Sequence, residues 1–208
     1  MALPASHEDL PQYPVLAQQA IALARRLGFP LTRAEAPDGR PTCCLPGVGR
    51  LLATLAAACT DGARIGEIGT GTGFGAAWIA SAMPPDAKLV TIELDDARAS
   101  AVAELFAGDD RVTVVHGDAA VEVPQRAPFD LLFVDGGMPL TEPVVEYVRV
   151  GGQLVVDDVT PTLRLDAASP FQTNDAKREL FFGSPRLQSV EVVLPDLENA
   201  AFVGTRLS

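Results

Sequence analysis

Three aspartates are placed so that they can share one crevice. Asp135 follows the run "FDLLFV", and Asp157 with Asp158 closes the run "GQLVV". Both runs are short, apolar and rich in β-branched residues, so they read as buried parallel strands with the acids at their C-terminal ends. Ligands of open α/β sheets bind at those ends. Crowded carboxylates repel one another; a hard divalent cation relieves the repulsion, and an all-oxygen donor set suits Mg²⁺, Mn²⁺ or Ca²⁺ rather than zinc. The alternative is that Asp157 and Asp158 only open a loop, cap its turns and are solvated.

A second chemical signal lies in "EIGTGTGFG", Glu67 to Gly75. The stretch follows a strand-like run and opens a helix, where backbone N–H groups face a ligand. Gly69, Gly71 and Gly73 permit positive φ and a close approach of a bulky ligand. Gly71, Gly73 and Ala76 also satisfy the dinucleotide pattern G-x-G-x-x-A, so spacing alone leaves the ligand open. Glu67 stands two residues before the first glycine, where its carboxylate can face a cationic ligand or cap the turn. Glu93 ends the next strand, roughly 20 residues beyond the turn, where an acid accepts the hydroxyls of a ribose; the other reading is one more surface acid in "ELDDAR". Asp118, in "VHGDAA", either reaches an adenine amino group or caps the following helix.

The elements that must hold these residues follow from periodicity. "RIGEI", "KLVTIE", "VTVVH", "FDLLFVD" and "GQLVVDD" alternate with helical segments such as "DDARASAVAELFAG", which makes a parallel α/β sheet. "RLQSVEVVLPDLENAAFVGTR" instead gives two strands joined by the short polar link "PDLEN", an antiparallel pair. Upstream, "VLAQQAIALARRLGF" and "PGVGRLLATLAAAC" read as helices around the Pro- and Gly-rich "FPLTRAEAPDGRPTCCLPG". The first of them is expected as an appendage covering the site's mouth or a dimer partner. One domain over 1–208 is therefore expected, with an N-terminal appendage over 1–40 and a core over 41–208.

Composition fits that reading: 208 residues at 48% hydrophobic content can bury a sizeable core. A net charge of −11 repels phosphate backbones and argues for small-molecule partners over nucleic acid. Cys43, Cys44 and Cys59 match neither a disulfide framework nor a zinc site, and no apolar run is long enough to span a bilayer, so a cytoplasmic protein is expected. His7 falls near the terminus, His116 ends a strand, and Trp78 has mostly apolar helical neighbours, which assigns it to the core.

The successive segments "EIGTGTGFG", "TIELD", "HGDAAVE", "FDLLFVDGG" and "GGQLVVDD" resemble the motifs of class I S-adenosylmethionine (AdoMet) methyltransferases, most closely the catechol and caffeoyl-CoA O-methyltransferases. The resemblance runs from about Pro41 to Arg206. It implies a Rossmann-like seven-stranded sheet of order 3-2-1-4-5-7-6, strand 7 antiparallel, with helices on both faces. It implies AdoMet as cofactor, its methionine part against Gly69, Gly71 and Gly73, its ribose on Glu93, its adenine beside Asp118 and Ala119; Glu67, Thr70, Gly75, Leu94 and Asp135 complete that set. Asp135 falls near the transferable methyl and, with Asp157 and Asp158, completes the family's metal site. The implied acceptor is a small hydroxylated, catechol-like molecule, and the implied assembly a homodimer.

Three positions depart from the family pattern. Met138 stands where a lysine serves as general base, Asp158 replaces an asparagine, and Gly75 replaces a serine that holds the AdoMet carboxylate. Asp135 and Asp158 are then the catalytic candidates, with Asp158 able to accept the acceptor's proton. Two other readings remain: a protein that binds AdoMet or S-adenosylhomocysteine with lost or altered transfer, metal-independent or tRNA-directed, and an NAD(P) oxidoreductase.

Overall fold

The computed structural model describes residues 12–136, 138, 140–165, 176–195 and 199–208. Seven strands form one sheet of order β3-β2-β1-β4-β5-β7-β6, the order the resemblance implies. Strands β1 (Arg64–Ile68), β2 (Lys88–Glu93), β3 (Val112–His116), β4 (Phe129–Val134) and β5 (Val148–Val159) run parallel. β7 (Ala200–Arg206) pairs antiparallel with both β5 and β6 (Leu187–Val193). Part of the expected link "PDLEN" and of the loop "TPTLRLDAASPFQTND", and all of the His7 segment, lie outside the described residues.

Alternation along β4 shows why the sheet is covered on both faces. Leu131 and Phe133 enter one apolar cluster with Ile65, Leu89 and Val155, while Leu132 and Val134 enter the other with Val123, Phe181 and Phe202. β2 and β4 flank β1 on opposite sides, so the chain reverses its direction of sheet growth there and a crevice opens at the C-terminal ends.

α3 (Phe74–Ala82) follows β1 and is buried on every side, as a helix apolar all round must be. α1 (Val15–Leu27) and α2 (Pro46–Ala57) pack over it, and α4 (Asp96–Leu105) and α5 (Ala119–Arg126) complete the crossovers, while α6 (Ala176–Gly183) packs on β6 and β7. Trp78 is a core residue, edge-on to Tyr13 and Phe74. A Cβ at Gly49 of α2 would stand 2.3 Å from its indole nitrogen, so only glycine allows that approach.

α1 corrects one expectation. It is no appendage: Ala17, Ala20, Ile21, Leu23 and Ala24 are buried in the same cluster as β1 and α3. Four of the five are alanine or leucine at helical spacing, and the small side chains let the helix axis approach α3 closely. No helix among the described residues is long and apolar enough to cross a membrane.

Ile21 is 1% exposed, so Ile21→Ala should cost about 2–5 kcal/mol, the range for deleting a buried aliphatic side chain. Urea unfolding checks this; a loss under about 0.5 kcal/mol, as on a free surface, would restore the appendage reading.

Candidate active site

The crevice contains a cavity of about 260 Å³ whose floor is the glycine turn and whose far wall is the segment before α2. Glu67, Gly69, Thr70, Gly71, Gly75, Glu93, Leu94, Asp118, Ala119 and Asp135 all line it. Gly73 does not. It is the N-cap of α3 at φ 81°, and its Cα faces Val102, Leu105 and Phe106 of α4, so it serves the packing of two helices.

The turn is fixed by bonds to both neighbouring strands. Gly69 N–H and Thr70 N–H donate to the Ile92 carbonyl at 3.0 and 3.2 Å, and Asp135 N–H donates to the Ile68 carbonyl at 2.9 Å. At Gly69, with φ 88°, a Cβ would meet the Asp135 carbonyl oxygen at 2.4 Å. Only glycine fits both demands.

Glu93 is 5% exposed and already ordered. One carboxylate oxygen accepts the Gly71 N–H at 2.8 Å; the other accepts the Asp95 N–H at 2.9 Å and the Arg98 guanidinium at 2.8 Å. Three of roughly four acceptor positions are used, so a diol can bind bidentately only if Arg98 yields. Arg98 also stacks over Phe29, 5.6 Å from its ring centre, tying the far wall to Glu93.

Glu67 is buried beneath the turn and accepts the hydroxyl of Thr91, which is itself bonded to Thr70. Burial above all, with a contribution from the nearby Glu93 charge, pushes its carboxyl up to about 8. Gly75 makes room for it, since a Cβ there would stand 2.3 Å from the Glu67 Oε1. The serine of the family pattern would collide with this acid. Asp118 caps α5 through the Ala120 N–H at 2.8 Å while also bordering the cavity, so both of its readings are met in part. His116 bonds the Leu94 carbonyl at 3.1 Å on the surface.

The aspartates are brought to one end of the crevice. Asp135 borders the cavity, and burial, then the charges of Asp157, Asp158 and Glu67, lift its carboxyl well above the usual range. Asp157 is 4% exposed and is pushed up to about 7 by burial and then by Asp158. Asp158 lies in a bulge of β5 opposite β7, at φ 57°, which turns its side chain outward to solvent.

That arrangement does not fit the expected metal. Among the described residues no three His, Cys, Asp or Glu side chains gather in a way that could hold an ion. The Asp158 carboxylate is instead paired with the Arg33 guanidinium. The Lys177 ammonium, in the first turn of α6, donates to the carbonyl of Asp157 and, at 3.1 Å, to that of Asp158. Met138 packs against the apolar cluster under β4 rather than offering a polar group to the crevice.

Sequence reasoning missed Arg33, Lys177, Arg98 and Phe29. No periodicity marks them, and in sequence Arg33 is only one of four charged residues, with Glu35, Asp38 and Arg40, in the loop between α1 and α2.

A family model described as a methyltransferase domain matches residues 67–159, from the end of β1 through β5. A Mycobacterium tuberculosis protein named as an O-methyltransferase is 31% identical over 169 residues, 72% of this chain and 74% of its own length. A protein-L-isoaspartate O-methyltransferase from Methanothermobacter thermautotrophicus is 32% identical over 100 residues; the match covers 46% of this chain and 45% of that relative. Among solved structures, the O-methyltransferase TomG of Streptomyces achromogenes, involved in tomaymycin synthesis and solved with AdoMet, superposes with a TM-score of 0.72 at 25% identity. That match covers 95% of this chain and 92% of TomG.

The burial of Glu67 sets a pH dependence in the ligand-free protein. Its carboxyl rises from 4.5 to about 8 on folding, so between those values the folded state keeps a proton that the unfolded chain has lost. Stability is therefore greatest below about pH 4.5 for this group and falls as pH rises, by up to about 1.4 kcal/mol per unit, flattening above about 8. Asp157 and Asp135 act in the same direction. Glu67→Gln should flatten the decline of Tm between pH 5 and 8 (about three units) without removing it, as differential scanning calorimetry across that range will read; an unchanged slope would place an ionised Glu67 in the core.

Proposed function

The chain belongs to the class I AdoMet-dependent O-methyltransferases of the caffeoyl-CoA type, and on that premise we propose that it methylates a hydroxyl of a small aromatic, catechol-like acceptor. The observation that carries the proposal is the continuity of one cavity from Glu93, along the glycine turn, to Asp135. When bound, AdoMet supplies an electrophilic methyl group on a sulfonium sulfur. Glu93 accepts the ribose hydroxyls as Arg98 yields, and Asp118 and Ala119 border the adenine. Gly69, Thr70 and Gly71 receive the methionine part, and Glu67 faces its ammonium group.

The acceptor enters against the segment before α2, where Pro41, Cys43 and Cys44 offer an apolar wall that suits an aromatic ring. Asp135 takes the hydroxyl proton as the new carbon–oxygen bond forms and the carbon–sulfur bond breaks, its electron pair remaining on sulfur. A carboxyl lifted by burial is a stronger base than a solvated one, and a phenol's acidity brings the two closer still. No divalent cation enters the proposal, because no three His, Cys, Asp or Glu side chains gather to hold one among the described residues, and Asp158 faces Arg33 instead. Cys43, Cys44 and Cys59 form no disulfide with one another, which supports a cytoplasmic enzyme. Exposed Val15 and Leu27 at the two ends of α1 support contact in a homodimer, which light scattering will test.

Glu93→Ala should weaken AdoMet binding by about 2 kcal/mol, roughly thirtyfold, the scale of lost charge-assisted hydrogen bonds. Calorimetry on the folded variant measures it; unchanged affinity would sink the ribose assignment.

Asp135→Asn should lower kcat by about 10²–10⁴ toward a phenol panel, with tritiated AdoMet as donor, and the loss should be least for the most acidic phenols. An equal, small loss across the panel would remove Asp135 as the proton acceptor.

A further inference from the structure

We infer that Arg33 and Lys177 supply, as fixed side chains, the positive charge that a divalent cation would bring to the acceptor end of the crevice, so that transfer needs no metal and Lys177 counters the acceptor's developing oxyanion. The inference rests on the transferase reading above. Asp135, Asp157 and Asp158 lie at this end without gathering into one cluster, yet the charges of Asp157 and Asp158 act on Asp135, and that of Asp158 on Asp157. Acids so placed need compensating charge, whatever its source.

Two cations of the chain meet that need. Arg33 sits on a short turn, Arg33–Glu35, which is held in place by the Leu31 N–H donating to the Glu35 carboxylate at 3.0 Å. From there its guanidinium crosses to Asp158, 125 residues later in the chain. Lys177 spans the carbonyls of Asp157 and Asp158, and its charge reaches Asp135 as well as Asp157. The charge of Arg33 reaches Asp157 too. Two single positive charges on two separate elements thus oppose the same carboxylates that one divalent ion would.

The two contribute differently. The Arg33–Asp158 pair is about half exposed on both sides, so its energy is small and its effect is geometric: it occupies Asp158 and holds the cavity wall against β5. Among the described residues Lys177 is held by backbone oxygens rather than by a carboxylate, so that anchor leaves its charge uncancelled. Held on the carbonyls that end β5, the strand beside β4, the ammonium acts on Asp135 through space, and it would act in the same sense on an acceptor oxygen gaining negative charge beside that carboxylate.

The test uses the full chain and Mn²⁺ alone, followed by electron paramagnetic resonance. The wild type should show no stoichiometric Mn²⁺ uptake, and EDTA should leave transfer to a catechol unchanged. Arg33→Gln with Lys177→Met should bind Mn²⁺ at least about tenfold more tightly, since opposing charges are removed from the acids. Lys177→Met alone should lower kcat by about 10², as for loss of an oxyanion partner, with AdoMet affinity unchanged by calorimetry, and Lys177→Arg should recover part of it. Stoichiometric Mn²⁺ uptake by the wild type that Asp157→Ala abolishes, or activity lost in EDTA and restored by Mn²⁺, would overturn the inference. Should Lys177→Met fail to fold, the wild-type Mn²⁺ and EDTA results decide alone. A wild type that does not bind AdoMet would refute the transferase reading instead.

Discussion

The contact on which the site depends is the passage of β1's end past β4's end, where a Cβ on Gly69 would stand 2.4 Å from the Asp135 carbonyl oxygen. Because no side chain fits, the backbone can turn at positive φ directly over the sheet and direct the following N–H groups of Thr70 and Gly71 to the Ile92 carbonyl and the Glu93 carboxylate. The same closeness puts Asp135 at the edge of the turn, and Ile68 O···H–N Asp135 holds it there. Glycine at 75 extends the logic one helical turn on, since its missing side chain is the space that Glu67 fills. The turn is therefore a set of vacancies that let two acids approach a ligand from below and beside.

Electrostatics follow from that geometry. A sheet covered on both faces, with its ligand crevice at one end, concentrates carboxylates where water is scarce. Glu67 and Asp157 are both pushed up by burial first and by neighbouring acids second, so the empty site resists holding all its charge. A cationic ligand relieves Glu67 and Glu93 at one end. At the other, relief comes from Arg33 and Lys177, which belong to the fold itself. The crevice is thus polarised, with buried acids under the glycine turn and partly compensated ones at the ends of β4 and β5.

Much of this was legible in the sequence because it depends on local pattern. The strands Arg64–Ile68, Lys88–Glu93 and Val112–His116 coincide with the β-branched runs read for them, and parallel pairing then dictates that Glu93, Asp135 and Asp157 share one edge. The NAD(P) reading lost ground for the same reason, since the antiparallel β6–β7 pair was also visible. What stayed hidden depends on distant partners. Gly73 looked like a ligand glycine but faces Val102 of α4, a contact no spacing encodes. Asp158 looked like a metal donor because the bulge that turns it outward, and the arginine 125 residues away that meets it, are tertiary facts.

The misreading of α1 shows how the hidden part bears on function. Its buried face is mostly alanine, which carries a weak apolar signal, yet it fixes Tyr13 against Phe74 and Trp78 of the helix that follows the glycine turn. The chain then leaves α1 through Gly28 in the left-handed conformation and places Phe29 beside Gly71 and Arg98. From Phe29 the same segment runs past Arg33, on Asp158, to Cys43, bonded to Thr72 at 3.5 Å. One stretch of chain therefore meets Arg98, Asp158 and the glycine turn in succession, anchored by a helix that is core. Disturbing α1 must then shift Phe29 and the segment after it, while Val48, Leu52 and Ala56 of α2 anchor the other end of that wall in the same cluster.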